Sequence, residues 1–194
     1  AMHEALGDEA PLQRARRIEA LLEQRFLQAG TGALREAFAP DWGPSSDDRL
    51  EAGHQYEWVW LMGERARLDG QPVSGAADGL YRNAVGLTGP EGGVPLEHEL
   101  DGTLRNGVER TWGLTEALKA HIARFEQGDR DAEARIVESF DRMWDRHIAP
   151  SPVAGAWLDK YGPDGAPAVS DITAATGYHV FMAFAELMRI AGKT

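Results

Sequence analysis

Three segments of this chain are apolar over more of the helical circumference than a surface helix needs, and each opens on a histidine or tryptophan after a glycine-rich loop. The first begins at His54 and carries Trp58, Trp60, Leu61 and Met62. The second runs from about Glu109 to Glu126 and holds Trp112. The third spans about Ala174 to Ile190, with Val180, Phe181, Met182, Phe184, Leu187 and Met188 around nearly its whole girth, which predicts burial on most sides. Such helices need amphipathic partners, and three are legible between them. Leu12, Ala15, Ile18, Leu22 and Phe26 recur at helical spacing after Asp8 and Pro11, and Gly30 and Gly32 close that helix. A weaker helix covers Pro72 to Ala84, interrupted by Gly75 and Gly79. Another runs from Asp129 to Ile148, with Ile136, Phe140, Met143 and Trp144 on one side, and Pro150 and Pro152 stop it.

His54, Trp112 and His179 stand 58 and 67 residues apart, the signature of a helical-hairpin repeat with unequal loops. The expected fold is therefore all-α, about six helices in three outer–inner pairs. Two loops carry hairpin signals: Val94-Pro95-Leu96-Glu97 with a turn at Asp101-Gly102, and Trp157 to Val169 turning at Pro163-Asp164-Gly165. No linker or low-complexity tract divides the chain, so residues 1–194 read as one domain. Ala1 before Met2 reads as a tag remnant.

Composition narrows the function. The chain has 20 Lys+Arg against 31 Asp+Glu, a net charge of −11, so its surface repels nucleic acid and anionic membranes. It has no cysteine, which excludes disulfides, thiol catalysis and thiolate metal sites and fits a cytoplasmic location. No apolar run is long enough to cross a bilayer; Val180 to Ala185 is far too short.

Three motifs carry the chemistry. In Gly53-His54-Gln55-Tyr56-Glu57-Trp58, His54 and Glu57 share a helix face. Glu57 could orient the imidazole or bind a polar ligand, and the helix N-terminus favours a neutral ring at His54. Read alone, the pair fits a capping histidine with a solvated glutamate better than a functional one. In Arg110-Thr111-Trp112-Gly113-Leu114-Thr115-Glu116, Trp112 and Glu116 are i,i+4 neighbours, the pairing by which an indole stacks on a sugar while a carboxylate accepts its hydroxyls. A core tryptophan beside a surface glutamate fits the same spacing. Tyr178-His179 places a histidine at the head of an apolar helix, where it needs a partner or a cavity. No other segment supplies a second His/carboxylate pair, so no metal site is expected. His3, His98, His121 and His147 read as surface residues. Gly192-Lys193-Thr194 ends a helix and is no phosphate loop.

Together these segments resemble the N-acylglucosamine 2-epimerase/mannose isomerase family. The resemblance rests on Glu51-Ala52-Gly53-His54-Gln55-Tyr56-Glu57-Trp58, on Arg110-Thr111-Trp112 with Thr115-Glu116-Ala117-Leu118, and on Tyr178-His179, with Leu34-Arg35-Glu36-Ala37-Phe38 and Asp41-Trp42 in the preceding loop. It departs from the family where Ala52 replaces a proline and Gly113-Leu114 replace Pro-Gln. The resemblance implies an (α/α) toroid, here roughly half of an (α/α)6 barrel, since the chain aligns with the second half of the family. It implies proton transfer at C2 of a sugar by His54 and His179, with Glu57, Arg110, Trp112, Glu116 and Arg49 binding substrate and no cofactor. Mannose–fructose isomerisation is the expected activity. An N-acyl-hexosamine 2-epimerase and a non-catalytic sugar-binding or scaffold remnant are the alternatives. Half a ring leaves apolar helix faces open, so self-association, or pairing with a separately supplied N-terminal half, is expected. Few arginines (Arg35, Arg49, Arg110) lie near the motifs, which favours a neutral sugar.

Overall fold

In the computed structural model, which describes residues 2–168 and 172–192, the chain folds as seven helices and a small three-stranded sheet. Val169, Lys193 and Thr194 of the segments read above lie outside the described residues. Helix α1 is Met2–Leu6. Helix α2, Ala10–Leu21, relaxes into a wider turn at Leu22–Phe26. Then come α3 (Ala52–Asp69), α4 (Ala76–Leu87), strands β1 (Pro95–His98) and β2 (Leu104–Arg110), and α5 (Thr111–Glu126). Helix α6 (Asp131–Met143) runs into a second wide turn, Trp144–Ile148, before β3 (Lys160–Tyr161) and α7 (Ala174–Ala191).

The apolar helices form an inner row of α3, α5 and α7, with α5 in the middle; α2 and α4 pack on α3, and α6 on α5. Helix α5 is buried from Thr111 to Ala123. Small residues permit this enclosure. A methyl at Gly53 of α3 would meet the Trp112 ring at 2.3 Å, and one at Gly113 would meet Val94 at 3.2 Å. The core of Tyr56, Val59, Met62, Leu80, Leu114, Leu118 and Ile122 fills the space between rows.

The sheet seals the end where α3 and α5 begin. Strands β1 and β2 are antiparallel across the Asp101-Gly102 turn, with Gly102 at φ 88 and Thr103 N–H donating to Asp101 Oδ1 at 2.9 Å. Strand β3 joins β2, with Glu109 opposite Tyr161 and Arg110 opposite Lys160. The second hairpin turns as its sequence predicts, with Gly162 N–H donating to Ala166 O at 2.8 Å. Leu50 and His98 exchange backbone hydrogen bonds, which fixes the chain entering α3 against β1.

Two expectations fail. Helix α7 is not covered on most sides: Val180 and Ala183 are buried, but Phe181 and Met188 are 71% and 75% exposed, because among the helices α7 packs mainly on α5. His98, His121 and His147 are buried rather than superficial, and two of them bond through Nδ1 to side chains of other helices. Tyr81 Oη lies 2.8 Å from His121 Nδ1, and burial drives that imidazole down to about 3, so it stays neutral. His147 Nδ1 lies 2.7 Å from Thr111 Oγ1 and ties the start of α5 to the chain after α6. No helix among the described residues is long and apolar enough to cross a membrane.

Candidate active site

The N-terminal ends of the three inner helices face one open depression of about 480 Å³, lined by Glu51, His54, Glu57, Leu96, Arg110, Trp112, Ala175, Thr176, Tyr178 and His179. That size suits a small polar ligand. Trp112 separates the two histidines, its ring 5.0 Å from His54 and 5.7 Å from His179. The indole can reach this position because residue 53 has no side chain.

His54 is clamped by carboxylates. Its Nδ1 lies 3.0 Å from Glu36 Oε2 and 3.4 Å from Glu51 Oε2. Glu36 belongs to the loop before α3, and Asp48 holds that loop. Asp48 Oδ1 accepts the backbone N–H of Glu36 and Ala37 at 3.2 Å, and Oδ2 accepts Arg35 Nε at 2.5 Å. Burial opposes protonation of His54, but the hydrogen bond to Glu36 and the charges of Glu36, Glu51 and Glu57 outweigh it and push the imidazole up to about 9. The neutral ring expected from the helix N-terminus is therefore overturned: three carboxylates outweigh one helix dipole.

His179 has a different surrounding. Its Nδ1 lies 2.5 Å from Glu116 Oε1, and Lys119 Nζ lies 2.7 Å from the same oxygen. Glu116 and Lys119 are completely buried. Glu116 thus lies behind His179 and meets the histidine and the lysine instead of the depression. Glu57 faces this group across α3. Burial and the charge of Glu116 raise its carboxyl above the usual range.

Arg110 lines the depression with its Nη2 engaged and its buried Nε without a hydrogen-bond partner. Nη2 donates to Asp159 Oδ2 at 2.8 Å and to Thr173 Oγ1 at 3.2 Å, which fastens the start of α7 to β2. Arg49 does not line it. It pairs with Glu51 at 3.0 Å and Glu97 at 3.1 Å and steadies Glu51 from outside. The structure therefore brings together His54, Glu57, Arg110, Trp112 and His179, and places Glu116 and Arg49 one layer behind. Glu36, Glu51 and Lys119 also belong to the site, and none announces a role at short sequence range.

Two trios, Glu36/Glu51/His54 and Glu57/Glu116/His179, bring their ligand atoms within 4.8 Å, close enough to hold a cation. In each a protein cation already stands beside the carboxylates: the imidazolium of His54 and the ammonium of Lys119.

A profile of the N-acylglucosamine 2-epimerase (GlcNAc 2-epimerase) family matches residues 1–183. The chain belongs to this family. It is 33% identical over 179 residues to a mannose-6-phosphate isomerase of Rhizobium meliloti (strain 1021), covering 88% of this chain and 46% of that protein. The fold is similar to that of a D-mannose isomerase (TM-score 0.86, 18% identity, 97% of this chain and 52% of that one). It is also similar to cellobiose 2-epimerase from Spirochaeta thermophila DSM 6192 (TM-score 0.78, 18% identity, 97% and 48%). The paired helix rows are those of the family's (α/α) toroid. The chain spans about half the length of the relatives it matches.

Proposed function

We propose that this chain carries the proton-transfer centre of a cytoplasmic sugar isomerase, acting on a free hexose in the mannose–fructose sense. The observation that carries this reading is the pair of unlike histidines flanking Trp112 in one depression. In the forward direction His179 Nε2 takes the C2 proton as the aldehyde oxygen O1 takes a proton from the His54 imidazolium, giving a cis-enediol. His54 then takes the O2 proton, and His179 returns its proton to C1, leaving a carbonyl at C2. Positioned acid–base groups of this kind contribute ~10²–10⁴-fold each. Trp112 offers a stacking face, and Glu57 and Glu51 accept hydroxyls. Arg110 is committed to Asp159, which favours an uncharged sugar.

The same pair supports 2-epimerisation if the His54 imidazolium gives its own proton to the opposite face of C2 instead of to O1, leaving His179 protonated and His54 neutral until both exchange with water. We also propose that the exposed stripe of Tyr178, Phe181 and Met188 on α7 is covered in the working enzyme by a second copy or by a separately supplied half ring.

The test is proton–deuterium exchange at C2 of mannose, glucose and N-acetylmannosamine, with the mass in solution measured on the same sample. Exchange into mannose with fructose as product is expected, with His54→Ala and His179→Ala each lowering it at least ~10²-fold. Exchange with a 2-epimer as sole product selects the epimerase. No exchange on any sugar, with and without a ring-completing partner, leaves only the binding scaffold.

A further inference from the structure

One buried charge at the site has no part in the chemistry above. Lys119 stands where the three inner helices meet. Its Nζ is 2.7 Å from Glu116 Oε1 on α5, 3.8 Å from the Trp60 ring centroid on α3, and 5.4 Å from that of Tyr178 on α7. A fully enclosed ammonium is costly unless a counter-charge and a π face compensate it, and both are here. A plain structural pin could take either oxygen of Glu116. Lys119 instead stands, as an ion pair without hydrogen-bond geometry, at the oxygen that holds His179 at 2.5 Å, while Nζ and Oε2 have no hydrogen-bond partner. Ammonium and imidazole compete for one oxygen.

We propose that Lys119 is a positioning residue for His179: by sharing Glu116 Oε1, it holds the carboxylate to the Nδ1–H of a neutral imidazole and leaves Nε2 open as the base. This assignment rests on the isomerase reading. The groups around His179 are Glu116, with Lys119 behind it, and Trp112 from α5, Glu57 from α3, and Tyr178 from its own helix, with the His54 charge beyond the Trp112 ring. Glu116 and Glu57 draw a proton onto the ring; Lys119 and the His54 imidazolium oppose it. Without Lys119, Glu116 Oε1 is left to His179 alone, as Glu36 Oε2 is left to His54. His54 shows that outcome. Its Nδ1 meets Glu36, whose carboxylate pairs with no other side chain among the described residues, and it is pushed up to about 9.

The test is nitrogen NMR of histidine-labelled protein, which reports the tautomer and charge of each ring without any turnover. In the native chain at pH 7.5 His179 is expected as the neutral Nδ1–H tautomer, a measurement that needs no variant. In Lys119→Met the protonated fraction of His179 at that pH should rise roughly tenfold, one pH unit's worth, with His54 unmoved. In the exchange assay the same variant should lose activity at neutral pH and recover it at higher pH. An imidazolium at His179 in the native protein, or an unchanged ring in a folded Lys119→Met, overturns the proposal. Absence of exchange in both proteins, with the ring shift intact, overturns the isomerase reading and leaves the Lys119 coupling standing.

Discussion

The two histidine environments begin from similar sequence and diverge in structure. Both rings sit near the start of an inner helix, and both present Nδ1 to a carboxylate. His54 draws its carboxylates from the preceding chain, Glu36 and Glu51, and its side chain is 39% exposed. His179 draws one from the middle helix, shared with a buried ammonium, and is 19% exposed. The His54 imidazole is thereby pushed up to about 9, while the carboxylate beside His179 is shared with an ammonium. The same side chain meets two different electrostatic settings because the second neighbour differs.

The largest break in this comparison should come from Glu116→Gln. It removes the sole carboxylate paired with Lys119 among the described residues and strands an ammonium in the core. The cost expected for losing one member of a buried pair is ~3–5 kcal/mol. Urea unfolding should show it as a lowered midpoint with an unchanged slope. Lys119→Met with Glu116→Gln should recover much of the loss, since no charge is then left buried. A Glu116→Gln protein within ~0.5 kcal/mol of the native one would mean that the pair is solvated and that the two environments are not distinct.

Gly53→Ala tests the wall between the histidines. The added methyl would meet Trp112 ring atoms at 2.3 and 2.5 Å, so the indole must move. Overpacking of this sort costs ~1–3 kcal/mol, and the displaced ring should reduce sugar stacking. A native-like tryptophan fluorescence spectrum with unchanged stability would contradict it. This contact also marks the limit of what the sequence conveys. Helical periodicity announces the inner row, and Asp101-Gly102 announces its turn, because both depend on neighbouring residues. The Gly53–Trp112 approach joins positions 59 apart, and Glu36 reaches His54 across 18 residues through a loop organised by Asp48. Lys119 sits at helical spacing from Glu116, yet a lysine in an apolar helix gives no sign of which acid it will face. His121 and His147 hide for the same reason: their partners Tyr81 and Thr111 come from 40 and 36 residues away. The exposed stripe of α7 escapes composition because apolarity records what a helix can bury, not what this chain supplies to cover it.

The smallest effect belongs to the exposed member of the pair. His54 is raised in the folded state from 6.5 to about 9. The carboxylate clamp therefore stabilises the fold fully below pH 6.5, where the unfolded ring is also charged, and the contribution disappears as pH rises through 9. Water screens a ring this exposed, so the change across that window should be about 1 kcal/mol. Glu36→Gln removes the hydrogen-bonding carboxylate but keeps Glu51 and Glu57, so the folded-state value falls and the decline, which still begins near pH 6.5, becomes smaller and ends earlier. Urea midpoints at pH 6 and pH 9.5 for both proteins measure this directly. At pH 6 the variant should be the less stable, and by pH 9.5 the two should converge. Parallel curves across the range would mean that Glu36 does not charge His54. The contrast with His179 would then need another source, since Glu51 is already shared with Arg49 at 3.0 Å.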